Sequence, residues 1–320
     1  MKLYLFFPLF FIVLAGCNSI HSYTPNRQPL ESVSLPVPDT RVSINNLSAC
    51  TDSDEKSISI DSQSPITILV HGCNGSAGRF RSLAQLYAFH GQQAVCYSYD
   101  DRDSLVMSAE QLAISINDLA SVTGNQKISI VGHSMGGLIA RKALEDNKIN
   151  SNPLEDNNLE LVTISAPFSG IEAANQCGIK PLHWISFGIV PSICWLITGD
   201  NWNEITASSK FINQPQPLIP SVQSYLKIVT NEKNTCRKKN ENGDCITSDE
   251  VFSLSEQYQS TIDNYSNLIG VQVDAGHVEI VGNKDIIPRK LLAILQENGM
   301  IEDTPSNRKA ALERLFAKLY

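Results

Sequence analysis

Between an apolar stretch at 127–131 and a helix-forming stretch at 136–144 the chain reads Gly132-His133-Ser134-Met135-Gly136-Gly137. Glycines flank the serine, a strand pattern precedes it and a helix pattern follows. This predicts a reversal so tight that side chains at the flanking positions would clash. A buried strand that runs directly into a covering helix belongs to an α/β sheet. The neighbouring segments agree. Ile66–Val70 is a short apolar run suited to a strand buried on both faces. Residues 79–91 put Phe80, Leu83, Leu86 and Tyr87 on one helical face, and Gly91 closes the helix. A strand at 93–99 and a helix at 108–122 follow, then strands at 159–164, 225–229 and 268–273 and a helix at 288–296. The alternation predicts a mostly parallel central sheet flanked by helices. Residues 41–45 and 57–60 read as an edge hairpin. Residues 308–320 carry Leu312, Leu315, Phe316 and Leu319 at helical spacing, as expected of a terminal helix packed on the sheet or, alternatively, of one lying on a membrane surface. Residues 168–223 break the alternation. Their apolar cluster around Trp184, Phe187 and Trp195 reads as a cap insertion, with a plain core helix as the alternative.

The N-terminus has a different character. Lys2 precedes an apolar run too short to span a bilayer comfortably, with the layout of a secretory signal. Its end, Leu14-Ala15-Gly16-Cys17, resembles the bacterial lipoprotein lipobox. That resemblance implies a signal peptide over 1–16, lipidation of Cys17, and a Ser/Pro/Asn-rich tether over 17–40 leading to a domain over 41–320. It places the chain in the bacterial cell envelope. Asn18, rather than Asp, after the cysteine favours the outer over the inner membrane. Eight cysteines suit a disulfide-permitting compartment. With Cys17 lipidated, the odd remainder leaves at least one free thiol in a monomer. Cys236 and Cys245 could staple a hairpin, and Cys177 and Cys194 a flap. A net charge of −8 argues against nucleic-acid binding.

A serine held at such a turn is a nucleophile in search of a base. His71-Gly72-Cys73-Asn74-Gly75 directly follows the first buried strand. Together these two motifs resemble the α/β-hydrolase superfamily, and within it bacterial lipases and esterases, over roughly residues 60–295. The resemblance implies an α/β-hydrolase fold with a cap or lid, and an oxyanion hole made of the backbone amides of Cys73 and Met135. It orders the triad as Ser, acid, His. Of the histidines after Ser134, His183 lies in the suspected cap, whereas His277 follows the strand at 268–273, where the family's base sits. The acid is expected after the strand at 225–229. Ser248-Asp249-Glu250-Val251-Phe252 resembles the lipase segment there, so Asp249 is the candidate, and Glu232, nearer the strand end, is the runner-up. The long polar insertion 231–246 departs from the family's pattern. Thr163-Ile164-Ser165-Ala166-Pro167-Phe168-Ser169-Gly170 resembles another lipase segment, with Phe168 in place of its histidine.

The expected chemistry is carboxylic-ester hydrolysis through an acyl-enzyme, on a lipid or acyl-ester substrate, by Ser134, His277 and Asp249. No cofactor is expected, and no metal, since neither H-E-x-x-H nor C-x-x-C occurs. The same residues would serve a thioesterase or acyltransferase. A non-catalytic envelope adaptor or chaperone on this fold is the reading from another class.

Overall fold

The computed structural model describes residues 37–73, 75–124, 126–146, 158–172, 203–283 and 286–320. Among them the strands are β1 (Thr40–Ser43), β2 (Leu47–Ser48), β3 (Ser57–Ile60), β4 (Ile66–Val70), β5 (Gln93–Tyr97), β6 (Ile128–His133), β7 (Leu159–Ile164), β8 (Val222–Asn231), β9 (Cys236–Lys239), β10 (Cys245–Ser248) and β11 (Leu268–Asp274). The helices are α1 (Arg81–Phe89), α2 (Leu105–Thr123), α3 (Met135–Ala143), the single turns α4 (Lys210–Asn213), α5 (Leu254–Gln257) and α6 (Ser260–Asp263), then α7 (Arg289–Glu297) and α8 (Lys309–Leu319).

Among the described residues the main sheet has seven strands in the order β11-β8-β7-β6-β4-β5-β2. All its pairings are parallel except that of β2 with β5. β4 and β6 are buried along their whole length, which is why both read as unbroken apolar runs. Alternate residues feed opposite layers. Ile66, Ile68 and Val70 enter the core under α2 and α3. Leu69 enters the core under α1, α7 and α8. The expected edge hairpin is β1 paired antiparallel with β3, outside the main sheet. The C-terminal apolar stripe is committed to this second core: Leu312, Leu315, Phe316 and Leu319 of α8 are all buried.

In the irregular region, residues 203–223 pack onto the body of the domain through Ile205, Ile212, Leu218 and Ile219. The remainder of the expected cap, 173–202, lies outside the described residues, and with it the suggested Cys177–Cys194 staple. The N-terminal 36 residues, including Cys17, lie outside them too. No described helix is long and apolar enough to cross a membrane. Cys236–Cys245 staples the β9–β10 hairpin, as its spacing suggested. Cys50–Cys96, which ties an N-terminal loop to β5, was not anticipated. Cys73 is disulfide-bonded as well, and no described cysteine is free.

Candidate active site

The turn at Ser134 is built by exclusion. Ser134 joins β6 to α3 with φ 57° and ψ −127°, a backbone conformation that L-residues avoid. Its amide donates to Ile164 O at 2.8 Å, and its carbonyl accepts from Gly137 N at 2.9 Å. A Cβ on Gly132 would fall 2.4 Å from Gly136 O, and one on Gly136 2.3 Å from His71 O. These neighbours are backbone atoms and cannot swing aside, so both glycines are required. α3 starts at Met135, directing its N-terminal end at Ser134.

The His71–Gly72 loop presses against this turn. A Cβ on Gly72 would meet the Ser134 Cβ at 2.8 Å, so the main chain leading into Cys73 lies against the serine. Tyr99 fixes the loop: its hydroxyl donates to His71 O at 2.6 Å, and its ring stacks on His71 at 4.4 Å. Burial pulls the His71 ring below the ordinary histidine pKa.

His277 leaves the end of β11 and is buried beside the turn. His133 Nε2 donates to the His277 carbonyl at 2.9 Å, and the two rings lie 4.7 Å apart. Burial first, and the neighbouring His277 next, hold His133 well below the usual histidine pKa, so it donates as a neutral ring. Phe252 packs edge-on against His277 at 4.9 Å.

The carboxylate on His277 Nδ1 is Glu232, at 2.9 Å, and not Asp249. Glu232 stands directly after β8, and β8 and β11 pair in register to their last residues, Asn231 and Asp274. An acid at that point faces the histidine without any further chain reversal. Its Oε1 also accepts from Thr230 Oγ1 at 2.8 Å, and its Oε2 accepts from the amides of Val251 and Phe252 at 2.7 and 2.8 Å. Ser165, itself at φ 49°, hydrogen-bonds Thr230 Oγ1 at 2.7 Å. The segment that resembles the lipase acid region is therefore in the right place but does a different job. It supplies two amides to Glu232 and an aromatic ring to His277. The Asp249 carboxylate is occupied elsewhere, by Arg237 and by the amides of Val278 and Glu279.

Sequence reasoning passed over Thr230, Ser165 and Phe252 as parts of this arrangement. The signal available was that polar residues at the C-terminal ends of neighbouring parallel strands converge. Phe168, which stands where the similar lipase segment has a histidine, is buried with Lys227 Nζ over its ring at 5.2 Å. Lys227 is also buried, paired with Asp263. Desolvation lowers its pKa, against the opposing pull of that partner.

Residues 61–199 match the family described as "Putative serine esterase (DUF676)". Among solved structures, the mature form of the lipase BlEst2 from Bacillus licheniformis is 15% identical with a TM-score of 0.50, over 74% of this chain and 92% of the other. Its propeptide form is 13% identical with a TM-score of 0.51, over 85% of this chain and 56% of the other. The chain is an α/β-hydrolase by fold. No curated protein matches it in sequence. The matched residues include Ser134 and its turn, while Glu232 and His277 lie C-terminal to them.

Proposed function

We propose that the protein is a serine hydrolase that cleaves carboxylic esters through an acyl-enzyme, with Ser134 as nucleophile, His277 as base and Glu232 as the acid. The observation that carries this reading is the strained Ser134 turn packed against a histidine whose Nδ1 meets a buried carboxylate at 2.9 Å. Glu232 holds the His277 tautomer with its proton on Nδ1, leaving Nε2 to take the Ser134 proton as Oγ attacks the carbonyl carbon. The backbone amides of Cys73 and Met135 receive the developing oxyanion. His277 then returns the proton to the leaving alcohol, and water activated by the same ring releases the acid and regenerates Ser134. A lipid or acyl ester is the substrate class we favour, given the apolar run 182–196 in the insertion and the similarity in fold to a lipase.

Labelling with a fluorophosphonate probe tests the chemistry. The full chain is expected to label, and Ser134→Ala to lose both labelling and ester hydrolysis while its circular dichroism is unchanged. A folded Ser134→Ala protein that still labels removes Ser134 from the mechanism. The lipobox-like Leu14–Cys17 motif supports anchoring in the bacterial envelope, at the outer membrane, through an acylated Cys17. Cys17→Ser is then expected to move the protein from the membrane to the soluble fraction, and continued membrane residence after signal cleavage would assign the attachment to another segment.

A further inference from the structure

We infer that Asp249 and Arg237 are positioning residues that set the placement of His277 by gripping the backbone that carries it. This inference rests on the hydrolase reading above. Residues 276–282 make one helical turn, with Ile280 N donating to Gly276 O at 3.1 Å and Gly282 N to Val278 O at 2.9 Å. The amides at the start of such a turn have no partner within it. Asp249 takes three in succession. Its backbone carbonyl accepts from His277 N at 2.9 Å. Its carboxylate accepts from Val278 N at 3.1 Å and from Glu279 N at 2.9 Å. An anion suits this place, because the first amides of a turn converge on it and charge-assisted bonds are stronger than neutral ones.

The clamp is itself held. Arg237 gives Nε at 3.0 Å and Nη2 at 2.8 Å to Asp249 Oδ1. Only 1% of the Asp249 side chain is exposed, so removing the guanidinium would leave part of a buried charge without its partner. Arg237 stands on β9, in the polar insertion that departs from the lipase pattern. That insertion returns the chain to its starting point: Asp249 N donates to Thr235 O at 3.2 Å, and Cys236–Cys245 closes the hairpin between them. The fit against the His277 loop leaves no slack, since a Cβ on Gly276 would lie 2.2 Å from Asp249 Oδ2.

Two independent holds therefore act on His277. Glu232 orients the ring, and Asp249, with His133 on the carbonyl side, fixes the main chain. If the second hold is lost, the ring can keep its acid and still sit at the wrong distance from Ser134 Oγ. A misplacement on the order of 1 Å costs about 10²-fold in rate. It leaves contacts to the rest of the substrate intact, so the loss falls on kcat.

The experiment measures kcat and KM on a short-chain p-nitrophenyl ester, together with thermal unfolding, for full-chain Asp249→Asn, Arg237→Gln, Arg237→Lys and Gly276→Ala, beside Ser134→Ala and Glu232→Gln. Asp249→Asn is expected to lose about 10²-fold in kcat, and Arg237→Gln and Gly276→Ala about 10-fold, with KM within twofold. Arg237→Lys, which keeps the charge but not the paired donors, recovers part of the Arg237→Gln loss. Lowered thermal stability with kcat unchanged would make the clamp a fold element only and overturn the inference. So would an Asp249→Asn protein as inactive as Ser134→Ala beside an active Glu232→Gln, which would make Asp249 the acid. Should Asp249→Asn not fold, the two Arg237 variants decide the matter through their kcat. Undiminished hydrolysis by Ser134→Ala would strike the hydrolase reading itself, separately from the clamp.

Discussion

The two halves of the candidate site are held by different physics. Around Ser134 the restraints are steric and neutral: glycines at van der Waals limit against backbone carbonyls, and a residue forced to positive φ. Around His277 the restraints are polar and charged, with two buried carboxylates, each bound by several donors and one of them backed by an arginine. A steric restraint is local, and a change of one methyl group destroys it. A network of hydrogen bonds draws on residues from β8 to the turn after β11, and it loosens one bond at a time. The contrast predicts abrupt failure in the first half and graded failure in the second.

The largest effect expected of a single polar change is at Glu232. Glu232→Gln should lower kcat on the order of 10⁴-fold, because the amide presents a donor where the histidine tautomer needs an acceptor. Steady-state kinetics on the purified variant check this, and a loss under tenfold would give the acid's role to another group. Gly136→Ala tests the steric half. Its new Cβ would overlap the carbonyls of Val70 and His71 at 2.4 and 2.3 Å, and overpacking against rigid backbone should cost about 3 kcal/mol or more. Denaturant unfolding reads that cost, and a stability unchanged from the parent would mean that the turn is softer than its contacts imply.

The smallest effect is a pH dependence of stability. Burial keeps His71 and His133 below the ordinary histidine pKa of 6.5. In the unfolded chain both rings bind protons below about pH 6.5, and in the folded protein they do so only at lower pH. Their contribution is therefore complete above that point and erodes as pH falls through it, by at most about 1.4 kcal/mol per pH unit for each ring. Thermal unfolding between pH 7.5 and 5 should show a falling midpoint. A flat profile would show that these rings are free to charge in the folded protein.

The same contrast explains what was legible in the sequence. The turn, its strand and its helix are contiguous, so the spacing around Ser134 carries the geometry with it. β4, β6, β7 and α8 were legible for a similar reason: the period of the apolar residues reports the face each one buries. The acid was not legible from similarity alone. Asp249 sits in a segment that resembles the lipase pattern, and the hairpin β9–β10 brings it back to within a hydrogen bond of the His277 loop. Both carboxylates thus reach the same turn. Only the three-dimensional path of the insertion decides that Glu232 meets the ring and Asp249 the backbone. Cys50–Cys96 was opaque because its two cysteines share no local pattern.

The burial of α8 has a consequence for the order of assembly. Its four apolar side chains complete the layer that covers Leu69, Leu86, Leu226 and Leu295, residues drawn from most of the length of the domain. Synthesis proceeds from the N-terminus, so the segment that seals this side is made after the residues it covers. Until it docks, a growing chain carries an open oily flank, which makes it a natural client for holding chaperones and an easy target for proteases. Ribosome-stalled chains ending before residue 309 should accordingly be cut more readily on that flank than the released protein.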